Sequence, residues 1–208
     1  MKNMLNKWVK FFNKDDSLFN YKQFINLMKK QNKGLMSKKQ YLKISEELSK
    51  VSPCNLLVFG LGEDSYLWDN INKSGSTIFL EDSKEWIDTV NDGSLVIEHI
   101  QYSTSVDKHK EIGFDEQKLK LTLPESVLNK KYDFIIVDAP LGHQPPRPFK
   151  GPGRMSSIFM ASQLLKNGGI VVVDDMGREV EKTYAYHYFG EKNLKMFIEN
   201  KVGIFLTK

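Results

Sequence analysis

Two rhythms divide the 208 residues of the chain. Up to Val51, apolar residues recur at helical spacing: Leu5, Trp8, Val9 and Phe12, then Phe24, Leu27 and Met28, then Tyr41, Ile44, Leu48 and Val51. Lysines fill many of the gaps. The spacing predicts three amphipathic helices, the last ending before Pro53, because a proline disfavours helical geometry in the residue ahead of it. The first of these suits either packing on the domain or peripheral contact with a membrane surface, and packing is the favoured use.

From Cys54 onward, short apolar runs alternate with helical stretches. "CNLLVF", "STIFL", "SLVIEHI", "YDFIIVDA" and "GGIVVVDD" are too uniformly apolar for a sheet with one wet face and predict buried parallel strands. Residues 64–73, 83–91, 154–167 and 177–188 predict the helices between them. "LKMFIE" and "VGIFLT" predict a closing hairpin around "NKVG". The expected architecture is a doubly wound, mostly parallel α/β sheet of Rossmann-like form, with right-handed crossovers. The expected organisation is an N-terminal helical extension over residues 1–50 and one α/β domain over residues 51–208, since a chain of this length holds one sizeable core and is short for two.

Charge narrows the choice of partner. The net charge of +4 arises largely in the first 50 residues and includes no long basic run, whereas a nucleic-acid grip needs a dense Lys/Arg stripe with aromatic platforms, so no nucleic-acid partner is expected. Cys54 has no second cysteine to pair with and begins an apolar run, which makes it a small buried hydrophobe. There is no stretch of about 18 apolar residues to span a bilayer. Lys7 and Lys10 interrupt the apolar start, unlike a signal peptide's core, and a cytoplasmic location is expected.

The chemistry gathers at strand ends. In open parallel sheets ligands bind beyond the carboxyl ends of the strands, where Gly60 and Gly62 follow the first strand. Glu81 ends the second strand 19 residues beyond Gly62, a spacing at which an acid holds a ribose diol. Glycines and acid together fit a nicotinamide dinucleotide or S-adenosylmethionine. Ser65 stands where a dinucleotide site wants its third glycine, and a donor without a pyrophosphate has no need of one. Asp138 ends the fourth strand, Asp174 and Asp175 the fifth, and a Pro-rich loop, "GHQPPRPFKGPGRM", lies between them.

Five blocks in order, "PCNLLVFGLGEDS", "TIFLEDSKEW", "YDFIIVDAP", "GPGRMSSIFMA" and "DDMGREVE", resemble the plant glucuronoxylan 4-O-methyltransferase family, a polysaccharide-biosynthesis domain that includes irregular-xylem proteins. The resemblance runs from Pro53 to about Glu181 and hardly touches residues 1–50. It implies a class I methyltransferase fold, S-adenosylmethionine as cofactor and a sugar hydroxyl of a glycan as acceptor. By the same resemblance Gly60 and Gly62 flank the donor's amino-acid moiety, Glu81 holds its ribose and Asp138 faces the reaction centre. Asp64 and Ser65 either cap the next helix or touch the donor, and Trp86 is expected in the core rather than as an adenine shelf. Glu63 and Asp174 replace family histidines, and Met176 and Gly177 replace Val-Asp.

Methyl transfer needs the acceptor oxygen aligned and relieved of its proton, which assigns base duty to Asp138 or Asp175. A divalent metal held by Asp138 and Asp175 is an alternative way to acidify the hydroxyl. His143 is a second candidate base and acceptor contact, and Arg147, Arg154 and Arg178 suit an acidic sugar through bidentate contacts. A uronic acid and a deoxyhexose such as rhamnose both remain open as acceptors. Two rivals stand beside this reading: an NAD-dependent oxidoreductase on the same glycines and acid, and a non-catalytic glycan-binding or scaffold protein of the same fold.

Overall fold

The computed structural model describes residues 19–31, 36–141 and 151–208. The first helical pattern, around Trp8, and the loop carrying His143 and Arg147 lie outside the described residues.

Among the described residues, six helices of seven or more residues follow the sequence periods. They are α1 (Tyr21–Lys30), α2 (Lys38–Val51), α3 (Ser65–Ile71), α4 (Lys84–Val90), α5 (Met155–Leu164) and α6 (Glu179–Phe189). The strands among the described residues are β1 (Asn55–Phe59), β2 (Ser76–Glu81), β3 (Ile97–His99), β4 (Tyr132–Val137), β5 (Leu165–Val173), β6 (Leu194–Ile198) and β7 (Val202–Leu206). Single helical turns fill the stretch between β3 and β4. Local chemistry sets several helix starts. Ser37 and Gln40 form a reciprocal capping box on α2, and Ser83 accepts the Trp86 N–H at the start of α4.

The strands form one sheet in the order β3-β2-β1-β4-β5-β7-β6, in which only β7 runs against the rest. Side chains alternate across it. Leu57, Phe59, Ile135, Val137, Val171 and Val173 meet α5 and α6 on one face. Leu56, Val58, Phe134, Ile136 and Val172 meet α1, α2 and α3 on the other. Phe24, Ile25, Met28, Tyr41, Ile44 and Leu48 are buried in that second layer, so the helices ahead of β1 are part of the core. The "SLVIEHI" run yields only a three-residue strand whose residues are half-buried or, at His99, exposed, because β3 is an edge with a neighbour on one side only.

Register builds the rim. Phe59, Val137 and Val173 lie side by side as the last residues of β1, β4 and β5. The ladder continues one step further, with Asp138 N–H donating to Phe59 O at 3.0 Å and Asp174 N–H to Val137 O at 2.9 Å. Gly60, Asp138 and Asp174 are thereby placed abreast. The β6–β7 turn reaches the same rim, since Lys201 O accepts the Met176 N–H at 2.7 Å.

Candidate active site

The glycines after β1 make room for the protein's own chain. Gly60 has φ +117°, a conformation that side chains rarely adopt, and a Cβ there would lie 2.8 Å from Ala139 Cβ. The β1 and β4 exits can approach this closely only without that atom. A Cβ on Gly62 would lie 2.5 Å from Asp64 Oδ1, so a carboxylate fills the space over this turn. Ser65 is buried and its hydroxyl accepts the Gly62 N–H at 2.9 Å. It shapes the glycine turn. Asp64 occupies the N-cap position of α3 yet makes no side-chain cap bond; its Oδ2 accepts from Tyr41 Oη at 3.0 Å instead.

Glu81 is 6% exposed, and each of its carboxylate oxygens accepts a backbone N–H: Leu61 at 3.0 Å and Ser83 at 2.9 Å. One acid thus ties the glycine turn to the β2 exit. Burial pushes its carboxyl above the ordinary range, against the pull of the two amides. Trp86 departs from expectation. It lies 41% exposed with its indole N–H donating to Leu61 O at 2.6 Å, because Ser83 starts α4 with this face turned to the rim instead of the core.

Arg154 organises the opposite half of the site. Its guanidinium is buried just ahead of α5, with Nη2 3.1 Å from Asp138 O and 3.3 Å from Asp138 Oδ1. Nη1 lies 2.9 Å from Asp175 Oδ2 and 3.6 Å from Asp174 Oδ2. The three acids and the arginine come from three separate segments, brought together by the strand register. Arg154 was expected to face an acidic sugar; its burial makes it the internal counter-charge of the carboxylates instead. Asp175 is further engaged by Arg178 at 3.0 Å and Lys201 at 3.5 Å. The strand has ended at Val173 and Asp175 has φ 59°, which lets two consecutive acids reach one guanidinium.

Asp138 keeps 30% of its side chain exposed, the largest opening among these acids. Burial of its surroundings and the neighbouring Asp174 push its carboxyl well above the usual carboxylate range, while Arg154 pulls it back in part. The metal assignment to Asp138 and Asp175 does not fit this arrangement. The two carboxylates are bridged by a guanidinium, which takes the place a shared cation would occupy. Among the described residues no group of His, Cys, Asp or Glu is arranged to hold a metal ion.

Lys201 and Tyr41 join the site without having been singled out in the sequence. The antiparallel return of β7 was legible, and it places the hairpin turn, hence Lys201, at the rim. Tyr41 fits an apolar helical stripe, and nothing in that stripe discloses that its hydroxyl ends on Asp64.

The strand order with its single antiparallel strand, the glycine turn after β1, the acid ending β2 and the carboxylate rim beyond β4 and β5 define the class I S-adenosylmethionine-dependent methyltransferase fold. A solved structure from Staphylococcus aureus, provisionally described as a caffeoyl-CoA O-methyltransferase, shares this fold with a TM-score of 0.54 at 12% identity, over 98% of this chain and 99% of that one. A family model described as IRX15/IRX15L/GXM matches residues 39–120 and 108–203, and the chain belongs to that family. Among its relatives in Arabidopsis thaliana, glucuronoxylan 4-O-methyltransferase 2 is 38% identical over 66% of this chain and 54% of that protein. Arabinogalactan O-methyltransferase 1 is 34% identical over 70% of this chain and 58% of that protein. Protein IRREGULAR XYLEM 15 is 32% identical over 76% of this chain and 57% of its own. The chain spans somewhat more than half the length of these curated relatives.

Proposed function

We propose that this chain transfers a methyl group from S-adenosylmethionine to a sugar hydroxyl of a glycan. The observation that carries the reading is the position of Asp138, at the exit of β4, abreast of the glycine turn and carrying a carboxyl of raised proton affinity. The relatives named as O-methyltransferases of glucuronoxylan and arabinogalactan support a polysaccharide acceptor.

The residues present fit the methyl donor. Glu81 stands at the β2 exit for the ribose, and its bond to the Leu61 N–H sets the Gly60–Gly62 turn beside it, where the amino-acid arm is assigned. S-adenosylmethionine supplies an electrophilic methyl group on a sulfonium. Asp138 holds the acceptor hydroxyl by hydrogen bond and takes its proton onto Oδ as the oxygen attacks; its raised proton affinity makes it a better base than an ordinary aspartate. Asp174 keeps that affinity high, and Arg154 fixes the Asp138 carboxylate in place. Asp175, engaged by three cations, serves as an ion-pair hub instead of the base.

Arg178 and Lys201 each keep 34% of their side chains exposed, which suits the carboxylate of a uronic acid acceptor over a neutral deoxyhexose. The test is methylation with labelled donor across uronic-acid, deoxyhexose and hexose glycans, with Asp138→Asn alongside. Transfer to uronic-acid glycans that is lost in the variant is expected. Normal transfer by Asp138→Asn would refute the assignment of the base.

A further inference from the structure

We propose that Asp64, held in place by Tyr41, receives the ammonium of the methyl donor's amino-acid arm, an assignment that rests on reading the site as a methyl-donor site. Asp64 stands where an aspartate ordinarily accepts an N–H of the first helical turn, and its carboxylate makes no such bond. It is held from another element. Tyr41, fully buried on α2 and tilted against Trp68 at 5.9 Å, donates its hydroxyl to Oδ2. The other oxygen, Oδ1, lies over the Cα of Gly62, on the glycine turn assigned above to the donor's amino-acid arm.

The charges around Asp64 call for a cation. Glu63 and Asp174 both act on it as like charges, and Asp138 and Asp64 repel each other in turn. Asp174 is 3% exposed and its Oδ1 has no hydrogen-bond partner among the described residues. Arg154 pairs with Asp138, Asp174 and Asp175, leaving Asp64 with the Tyr41 hydroxyl, its own backbone N–H and no cation among the described residues. A carboxylate brought to this corner would face Asp64, which has no cation partner among the described residues. The donor arm ends in a carboxylate and an ammonium, and only the ammonium suits Asp64. Tyr41 is then a positioning residue, since its hydroxyl fixes which way the carboxylate faces without reaching the donor.

Calorimetric titration of the full chain with S-adenosylhomocysteine and with its deaminated analogue tests this directly, because the two ligands differ only in the ammonium. The wild type is expected to bind the deaminated ligand about 10- to 100-fold more weakly, the range for a hydrogen bond to a charged group. Asp64→Asn should weaken S-adenosylhomocysteine by a similar factor and leave the deaminated analogue within about twofold. Tyr41→Phe, which keeps the ring packed on Trp68, should narrow the gap between the ligands by several-fold, about half of it on a logarithmic scale. Equal affinity of the wild type for both ligands overturns the proposal even if neither variant folds. A variant that weakens both ligands alike also overturns it, since a purely structural defect does that. Failure of the wild type to bind S-adenosylhomocysteine at all would instead remove the methyl-donor reading beneath it.

Discussion

Arg154 and Asp175 form a 2.9 Å ion pair inside the fold, and the same guanidinium reaches Asp138 through its other amino group at 3.3 Å. One buried cation thereby holds the exits of β4 and β5 at a fixed separation. Without it, three carboxylates would face one another with Lys201 and Arg178 reaching only the outer two.

Arg154→Met should therefore lower stability by about 3–5 kcal/mol, the range for removing one partner of a buried charge pair. Arg154→Lys keeps the charge but not the planar fork and should fall between the two. Urea unfolding monitored by circular dichroism measures both. A loss below about 1 kcal/mol for the methionine variant would show that the acids are neutralised in another way.

Asp138→Asn should separate binding from chemistry. Methyl transfer is expected to fall by about 100- to 10,000-fold, with S-adenosylhomocysteine affinity changed far less. In the wild type the rate should rise with pH as Asp138 loses its proton, with a midpoint above the ordinary aspartate range, because its carboxyl is pushed up by burial and Asp174. Single-turnover rates measured across pH check this.

The same group makes a prediction about stability with a definite sign. A carboxyl whose folded proton affinity is raised contributes stability below its unfolded pKa, about 3.9, and loses that contribution as pH rises through the folded value. Asp138→Asn should thus be more stable than wild type at neutral pH, and the difference should shrink on acidification. Denaturation midpoints at several pH values decide it; a difference that grows toward acid pH has the wrong sign.

The two glycines of the turn should respond differently to alanine. Gly60→Ala forces a Cβ against Ala139 in a positive-φ conformation and should cost about 1–3 kcal/mol or more of stability. Gly62→Ala displaces the movable Asp64 carboxylate, so its main effect should be weaker donor binding with a smaller loss of stability. Thermal melts and donor titrations, run in parallel, tell the two effects apart.

Chelation is expected to leave methyl transfer undiminished, since Arg154 supplies the cation between Asp138 and Asp175. Assays after exhaustive dialysis against a chelator, with and without added magnesium, measure this. Loss of activity that magnesium restores would contradict the role given to the arginine.

Much of the architecture was legible in the order of residues. The apolar runs from "NLLVF" to "IVVVDD" disclosed buried strands because a strand covered on both faces has no polar side to show. The edge strand β3 was overread, since apolar content does not reveal whether a strand has a neighbour on one side or two. Gly60, Glu81 and Asp138 were recognisable as rim residues because strand ends are visible as the points where apolar runs stop.

The partners of those residues came from three dimensions alone. Arg154 looked like an acceptor contact, and its burial against Asp138 and Asp175 depends on how α5 and β5 pack, which no local pattern encodes. Trp86 looked like core until the start of α4 turned it to the rim, and Tyr41 looked like one more apolar position on α2. Period and composition are short-range properties of the chain and by themselves determine which segments become strands or helices and where strands stop. Which charge neutralises which, and which hydroxyl steers a carboxylate, is decided by contacts between residues up to dozens of positions apart, and only the packed sheet brings those together.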